Sequence, residues 1–297
     1  MSEKKTNHII EIKQFLSEKE CNEIRQLSKL CYQNDGSNLK LELNYKLNRG
    51  KKSSKKSEYN NEFLCYVEGV LVGYLGICSF GGSNIAEMNG MVYPNYRRMG
   101  IFKSLFDHAV IACDKKNYDK VLLLSDGSSN SGMEFIKSVG GVYDFSEYRM
   151  KRTVESNFEP SDIIKLRKAN NSDGKEIMRQ NAVYFNHAVT GDCFPEEEEL
   201  LNKVTYMVEL KGKVIGKIKV NYGNSTSFIC GVGILPDYRS NGYGKETLKE
   251  VLRVISEKDI DVAMLDVECK NNNALNLYKN CGFEEESVMN YYELSSL

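Results

Sequence analysis

Apolar positions along this chain follow two rhythms, a period of two and a period near 3.6, and the same succession of rhythms is written twice. In the second half, IIKLRKA (163–169) alternates as a strand does. DGKEIMRQNAVYFNHA (173–188) carries a helical pattern behind a Ser172/Asp173 cap signal, and EEEELLNK (196–203) predicts a second short helix. VTYMVELKGKVIGKIKVNY (204–222) reads as a hairpin turning at Lys211 and Gly212, and STSFICGVGIL (225–235) as an apolar strand. A helix begins near Gly244, with Leu248, Val251, Leu252 and Ile255 at i, i+3, i+4 and i+7 forming one buried stripe. VAMLDVE (262–268) predicts a strand, NNALNLYKNC (272–281) a helix, and GFEEESVMNYYEL (282–294) a closing strand. Hairpins combined with one strand-helix-strand crossover predict an α/β chain with a mixed sheet.

The repetition can be measured. Pro94, Tyr96, Arg97, Gly100 and Gly140 fall 142 residues before Pro236, Tyr238, Arg239, Gly242 and Gly282, and GVLVGYLGI (69–77) precedes GKVIGKIKV (212–220) by 143. A period of this length equals a domain, so the chain reads as a duplicated fold with one small indel. The polar stretch KRTVESNFEPSD (151–162), with Pro160, is the expected linker between domains at 1–150 and 163–297.

Bulk properties narrow the partners. Among 297 residues, 40 Lys and Arg stand against 41 Asp and Glu, a formal charge of −1, which argues against nucleic acid as a partner. Nine Cys occur with no C-x-x-C pair and no zinc-finger spacing, so they read as reduced, buried small residues and no metal is expected. No run of 18 uncharged apolar residues occurs and the N-terminal stretch lacks a signal-peptide core; a cytoplasmic protein without a membrane partner is expected. The basic run RGKKSSKKSE (49–58) reads as a solvated loop.

The chemistry concentrates at ILPDYRSNGYG (234–244), between a strand and a helix. The first turn of a helix exposes unpaired N–H groups and the positive end of its dipole, an anion site. Gly242 and Gly244 place no Cβ between those amides and a phosphate, and Arg239 adds a charged fork. The spacing is neither the dinucleotide-binding G-x-G-x-x-G nor a P-loop.

With VGILPDYRSNGYGKETL (232–248) followed by NNNALNLYKNCGF (271–283), the second half resembles the GNAT superfamily of acyl-CoA-dependent N-acyltransferases, and the first half resembles it more faintly. The resemblance implies tandem GNAT-like domains, each a mixed, splayed central sheet flanked by helices. It further implies acetyl-CoA as cosubstrate, held by Gly233, Ile234, Arg239, Ser240, Asn241, Gly242, Tyr243, Gly244 and Asn271. Tyr278 then stands where the family places the acid that protonates the departing thiolate, and the acceptor is a primary amine on a small molecule, peptide or protein. No general base emerges: Glu209, Glu268 and His187 are candidates, as is a water chain. PEEEE (195–199) suits a cationic acceptor or a solvated helix start alike.

The first half departs from the pattern. Phe102 stands where Gly244 does and is expected to crowd the phosphate approach, Ile136 replaces Tyr278, and yet Glu87 sits on the strand where many family members carry a base. The first half is therefore expected to be a degenerate copy, with one coenzyme bound per chain and catalysis in the second half. The alternative is an acyl-CoA sensor without turnover, to which a retained Tyr278 would be of no use.

Overall fold

The structure, a computed structural model, describes residues 8–52, 61–80, 84–155, 159–185 and 193–295. The chain forms two units, Met1–Ser146 with Val288–Leu297, and Glu147–Ser287. In unit 1 the elements run β1 (His8–Lys13), α1 (Glu18–Asp35), α2 (Leu43–Lys52), β2 (Glu62–Val67), β3 (Val70–Cys78), β4 (Ile85–Val92), α3 (Ile101–Lys116), β5 (Lys120–Asp126) and α4 (Asn130–Ser138). β6 (Gly141–Thr153) leads into unit 2, which continues with β7 (Lys165–Lys168), α5 (Gly174–Phe185), α6 (Pro195–Glu199), β8 (Lys203–Leu210), β9 (Lys213–Tyr222), β10 (Thr226–Ile234), α7 (Tyr243–Ser256), β11 (Val262–Glu268) and α8 (Asn272–Lys279). β12 (Glu284–Leu294) returns to unit 1.

Each unit contains a mixed sheet of the same design. In unit 2, β7, β8, β9 and β10 are antiparallel neighbours, and β10 then lies parallel to β11. In unit 1, β1, β2, β3 and β4 are antiparallel neighbours and β4 is parallel to β5. The β8–β9 hairpin turns at Lys211 and Gly212 with φ of 50° and 80°, and β2–β3 turns at Glu68 and Gly69 with 49° and 78°. Two consecutive positive φ values match the right-handed twist of the strands they join.

The closing strand of each sheet comes from the opposite half of the sequence. Glu147–Thr153 of β6 pairs antiparallel with β11, and Met289–Glu293 of β12 pairs antiparallel with β5. The sequence places these two strands at the end of their own halves; in the fold they are exchanged. At 13 and 11 residues, both are long enough to begin in one unit and finish in the other.

The helices bury the stripes their spacing predicts. On α7, Leu248, Val251, Leu252 and Ile255 are all fully buried, as are Leu105, Ala109 and Cys113 on α3. Removing such a side chain from water is worth about 1.5–3 kcal/mol for a leucine or isoleucine. α1 starts with a reciprocal cap: Ser17 Oγ accepts from the Glu20 amide, and the Ser17 amide donates to the Glu20 carboxylate at 2.7 Å. The basic run at 49–58 is not wholly loop, because α2 extends through Lys52; the rest of it lies outside the described residues.

Strand exchange makes a direct expectation. Deleting Val288–Leu297 should raise hydrogen exchange at Leu122–Asp126 of β5 while leaving Val204–Val220 of unit 2 protected. Tyr291, 1% exposed, packs on Leu122 and Leu124, and Tyr291→Ala should cost unit 1 about 3–5 kcal/mol in denaturant unfolding.

Candidate functional site

β10 pairs with β11 only from Thr226 to Phe228, and β4 with β5 only from Ile85 to Met88. Past these points the two central strands of each unit are no longer paired, so the following stretch of each strand lacks that neighbour. β10 differs from β4 in one respect. It has nine residues against eight, and its register with β9 shifts between Cys230 and Gly233, with Gly231 at φ 58°. This is a β-bulge: the extra residue takes a conformation that glycine adopts freely and re-aims the backbone around it. The β3–β4 ladder from Gly73 to Cys78 runs without a shift.

Beyond the strand, a single 3-10 turn (Pro236–Tyr238) leads to Arg239, Ser240 and Gly242, which caps α7. Ser240 and Gly242 have φ of 63° and 81°, and Arg98 and Gly100 in unit 1 have 64° and 79°. Arg239 Nε donates to Ile234 O at 2.9 Å, and Arg97 Nε to Val92 O at 3.0 Å. The duplicated words in the sequence thus build the same loop twice. A Cβ on Gly242 would meet nothing within 4 Å, whereas one on Gly244 would approach Leu277 of α8 at 3.3 Å. Gly242 is therefore favoured by its dihedral, and Gly244 sits where a side chain would press on Leu277.

The remaining expected residues divide into groups. Asn241 spends its side-chain amide on Arg239 O at 2.9 Å, holding the turn, and Asn271 caps α8 by accepting from the Ala274 amide at 3.2 Å. Gly233 and Ile234 end β10, and a Cβ on Gly233 would collide with the ring of Tyr184 from α5. Tyr243 opens α7. Tyr278 is 8% exposed, with its ring against Phe283, and burial pushes its hydroxyl up to about 12. Of the base candidates, Glu209 is paired with Arg167 at 2.7 Å, Glu268 lies exposed at the end of β11, and His187 is outside the described residues.

Two side chains were missed by sequence reasoning. Lys217 on β9 is 4% exposed, its Nζ donates to Gly231 O at 3.1 Å, and burial lowers its amine to about 8. Tyr184 covers the end of β10, and burial raises its hydroxyl above the ordinary phenol range. The sequence marks the position only by a lysine in GKVIGKIKV where the first repeat has Tyr74.

Unit 1 holds a cavity of roughly 380 Å³ along its own cleft, bounded by Ser37, Arg97, Gly100, Phe102, Asp126 and Ile136. Phe102 turns edge-on to Phe135, with ring centroids 4.7 Å apart, and forms part of the wall. The expected crowding therefore leaves an open space beside the loop. Arg97 is also engaged by Asp35, at 2.5 Å, whereas Arg239 forms no ion pair with a carboxylate among the described residues. No group of three or more metal-ligating side chains occurs among the described residues, and none of their helices is long and apolar enough to cross a membrane.

A family model described as the Acetyltransferase (GNAT) family matches residues 21–139 and again 175–283. The N-alpha-acetyltransferase 30 of Mus musculus is 26% identical over 179 residues, covering 59% of this chain; the chain spans 46% of that relative's length. Two solved structures share the fold: a GCN5-related N-acetyltransferase from Sphaerobacter thermophilus and a tandem GNAT protein from the clavulanic acid biosynthesis pathway. The first has a TM-score of 0.74 at 16% identity, with 96% of this chain and 95% of that one covered. The second has a TM-score of 0.72 at 12% identity, with 97% and 98% covered.

Burial by itself would raise the Asp35 carboxyl, but the Arg97 guanidinium and the Ser37 amide outweigh it and hold it below its ordinary range. Its contribution is present in full above the pKa of an unfolded aspartate and is lost as pH falls through the lowered folded value. Asp35→Asn should accordingly cost up to about 1 kcal/mol at pH 7, the scale of a partly exposed pair. Urea midpoints of variant and wild type should converge below pH 3.

Proposed function

The chain belongs to the acetyltransferase (GNAT) family, and on that premise we propose that unit 2 transfers an acetyl group from acetyl-CoA to a primary amine. The observation that carries this reading is the bulge at Gly231, set between the point where β10 leaves β11 and the Ser240–Gly242 loop that opens α7. The α7 N-terminus with Ser240, Gly242 and Gly244 takes the pyrophosphate, and Arg239 supplies the charged fork. The pantetheine arm lies along the unpaired edge of β10 as an added strand does, at Gly233 and Ile234. Asn241, Tyr243 and Asn271 act by shaping that groove.

Attack of the neutral amine on the thioester carbon forms a C–N bond and places negative charge on the carbonyl oxygen. An amide freed by the bulge stabilises that charge. Collapse breaks the C–S bond. A phenol at about 12 stays protonated at every pH where the reaction runs, so Tyr278 donates a hydrogen bond to the departing sulfur. A coenzyme thiol near 8.5 is far more acidic than this phenol. The proton on sulfur is therefore supplied through Tyr278 from the newly acylated nitrogen, which must lose one. The acceptor class is a primary amine, and the mouse relative's name supports an α-amino group of a peptide or protein.

A second reading has its own support in the unit 1 cavity beside an equivalent loop: that unit also takes the coenzyme, without the tyrosine. Calorimetric titration with acetyl-CoA separates the two readings. Gly244→Val leaves the backbone helical but closes the gap to Leu277, so a single site should vanish in this variant. Two sites in the wild type with one surviving in the variant would establish the second reading.

Tyr278→Phe retains the ring packing and removes the hydroxyl. Coenzyme affinity should hold while the single-turnover rate falls by roughly 10² to 10⁴, the usual worth of a positioned proton donor. A wild-type rate in this variant would return Tyr278 to a packing role.

A further inference from the structure

The two units treat a buried amine differently. In unit 1, Lys46 and Glu62, 4% and 2% exposed, are bonded at 2.9 Å, and Tyr74 donates to the same carboxylate at 2.6 Å. Burial alone would lower the Lys46 amine; the carboxylate reverses this and holds it protonated. Glu62 lies opposite Gly76 in β3, and the same register in unit 2 places Thr205 opposite Lys219 in β9. Tyr74 of β3 corresponds to Lys217 of β9. Unit 2 thus carries an amine where unit 1 has Tyr74, and a threonine where unit 1 has Glu62.

Lys217 has no carboxylate ion pair among the described residues. Its hydrogen-bond partner is the carbonyl of the bulged Gly231, and the rings of Tyr184 and Phe185 lie 5.7 Å away. Two cysteines, Cys193 and Cys230, and Lys219 face it; Glu198 belongs to Lys219 at 2.7 Å. The amine stands on the α5 side of the sheet, at Gly231 in the stretch where β10 shifts register against β9.

We propose that Lys217 is the general base of unit 2, taking the proton from the acceptor ammonium before attack. The assignment rests on the acetyl-transfer reading. An incoming R–NH3+ gives one proton to the neutral Lys217 amine and becomes the nucleophile R–NH2. After the C–N bond forms, the second proton leaves the nitrogen for the departing sulfur, and Lys217 releases the first to solvent. The net products are an amide, free coenzyme A thiol and one proton. Burial supplies the condition that makes this possible at neutral pH: an amine near 8 is partly deprotonated there, whereas an ordinary lysine near 10.4 is not.

The test is single-turnover acetylation across pH, with an alkylamine and an arylamine as acceptors. Wild-type protein should show an alkylamine rate that rises up to about pH 8 and then levels. Lys217→Met should lose roughly 10² to 10⁴ in alkylamine rate at pH 7 and show no break near 8. The arylamine arrives neutral at pH 7 and should be acetylated by the variant as by the wild type, a selectivity that damaged packing would not produce. Thr205→Glu restores the carboxylate seen in unit 1 and should move the wild-type break toward the ordinary lysine range. The Cε resonance of Lys217 reports its protonation without turnover, with a midpoint near 8 expected. Equal loss for both amines, an unchanged pH profile in Lys217→Met, or a midpoint above 10 would overturn the assignment while leaving acetyl transfer standing. A wild type that acetylates no amine would overturn the functional reading itself, and this one with it.

Discussion

Parallel pairing between the two central strands lasts three residues in unit 2 and four in unit 1, and the geometry of each cleft follows from where it stops. A backbone edge without a sheet neighbour must find other partners, because buried N–H and C=O groups are costly to leave unpaired. The α7 and α3 N-termini each follow the unpaired end of the central strand of their own unit, so unpaired strand amides and unpaired helix amides lie close together along the chain. The coenzyme proposed for unit 2, with phosphates at one end and amides along its arm, would satisfy both sets.

Within this common frame the units differ by local substitutions of charge partner. Unit 1 engages its loop arginine with Asp35 and its buried lysine with Glu62, so both cations already have their counter-ions. In unit 2, Arg239 keeps its guanidinium toward solvent and Lys217 faces aromatic rings and a peptide carbonyl. A charge balanced by the protein has little to offer a ligand, and one left unbalanced has much. The duplicated fold has diverged by placing carboxylates in one copy and withholding them from the other.

Much of this was legible in the sequence because it is local. The stripe Leu248, Val251, Leu252 and Ile255 announces α7 by its spacing alone, and the positive φ values at Ser240 and Gly242 belong to a loop already visible in YRSNGYG. Lys217 was hidden because strand alternation tells which side chains share a face without telling which face is buried. An adjacent bulge also breaks the register by which neighbouring strands are compared. The exchange of β6 and β12 was hidden for another reason. Pairing partners more than a hundred residues apart leave no mark in local pattern, and either strand satisfies the alternation expected of a closing strand. The rotamer of Phe102 could not be read from its position, because it is set by its neighbours: Phe135 takes its ring edge-on, and Phe102 becomes part of a cavity wall.

The exchanged strands also impose an order of events on synthesis. Every element of unit 2 precedes Val288 in the chain, and its sheet needs nothing that follows Ser287, since Glu147–Thr153 precedes the strands it joins. Unit 1, although begun first, waits with the edge of β5 bare until Val288–Leu297 emerges from the ribosome. An uncovered edge strand invites pairing with other chains, so the earlier half of this protein is the later one to mature and passes most of its translation in need of protection.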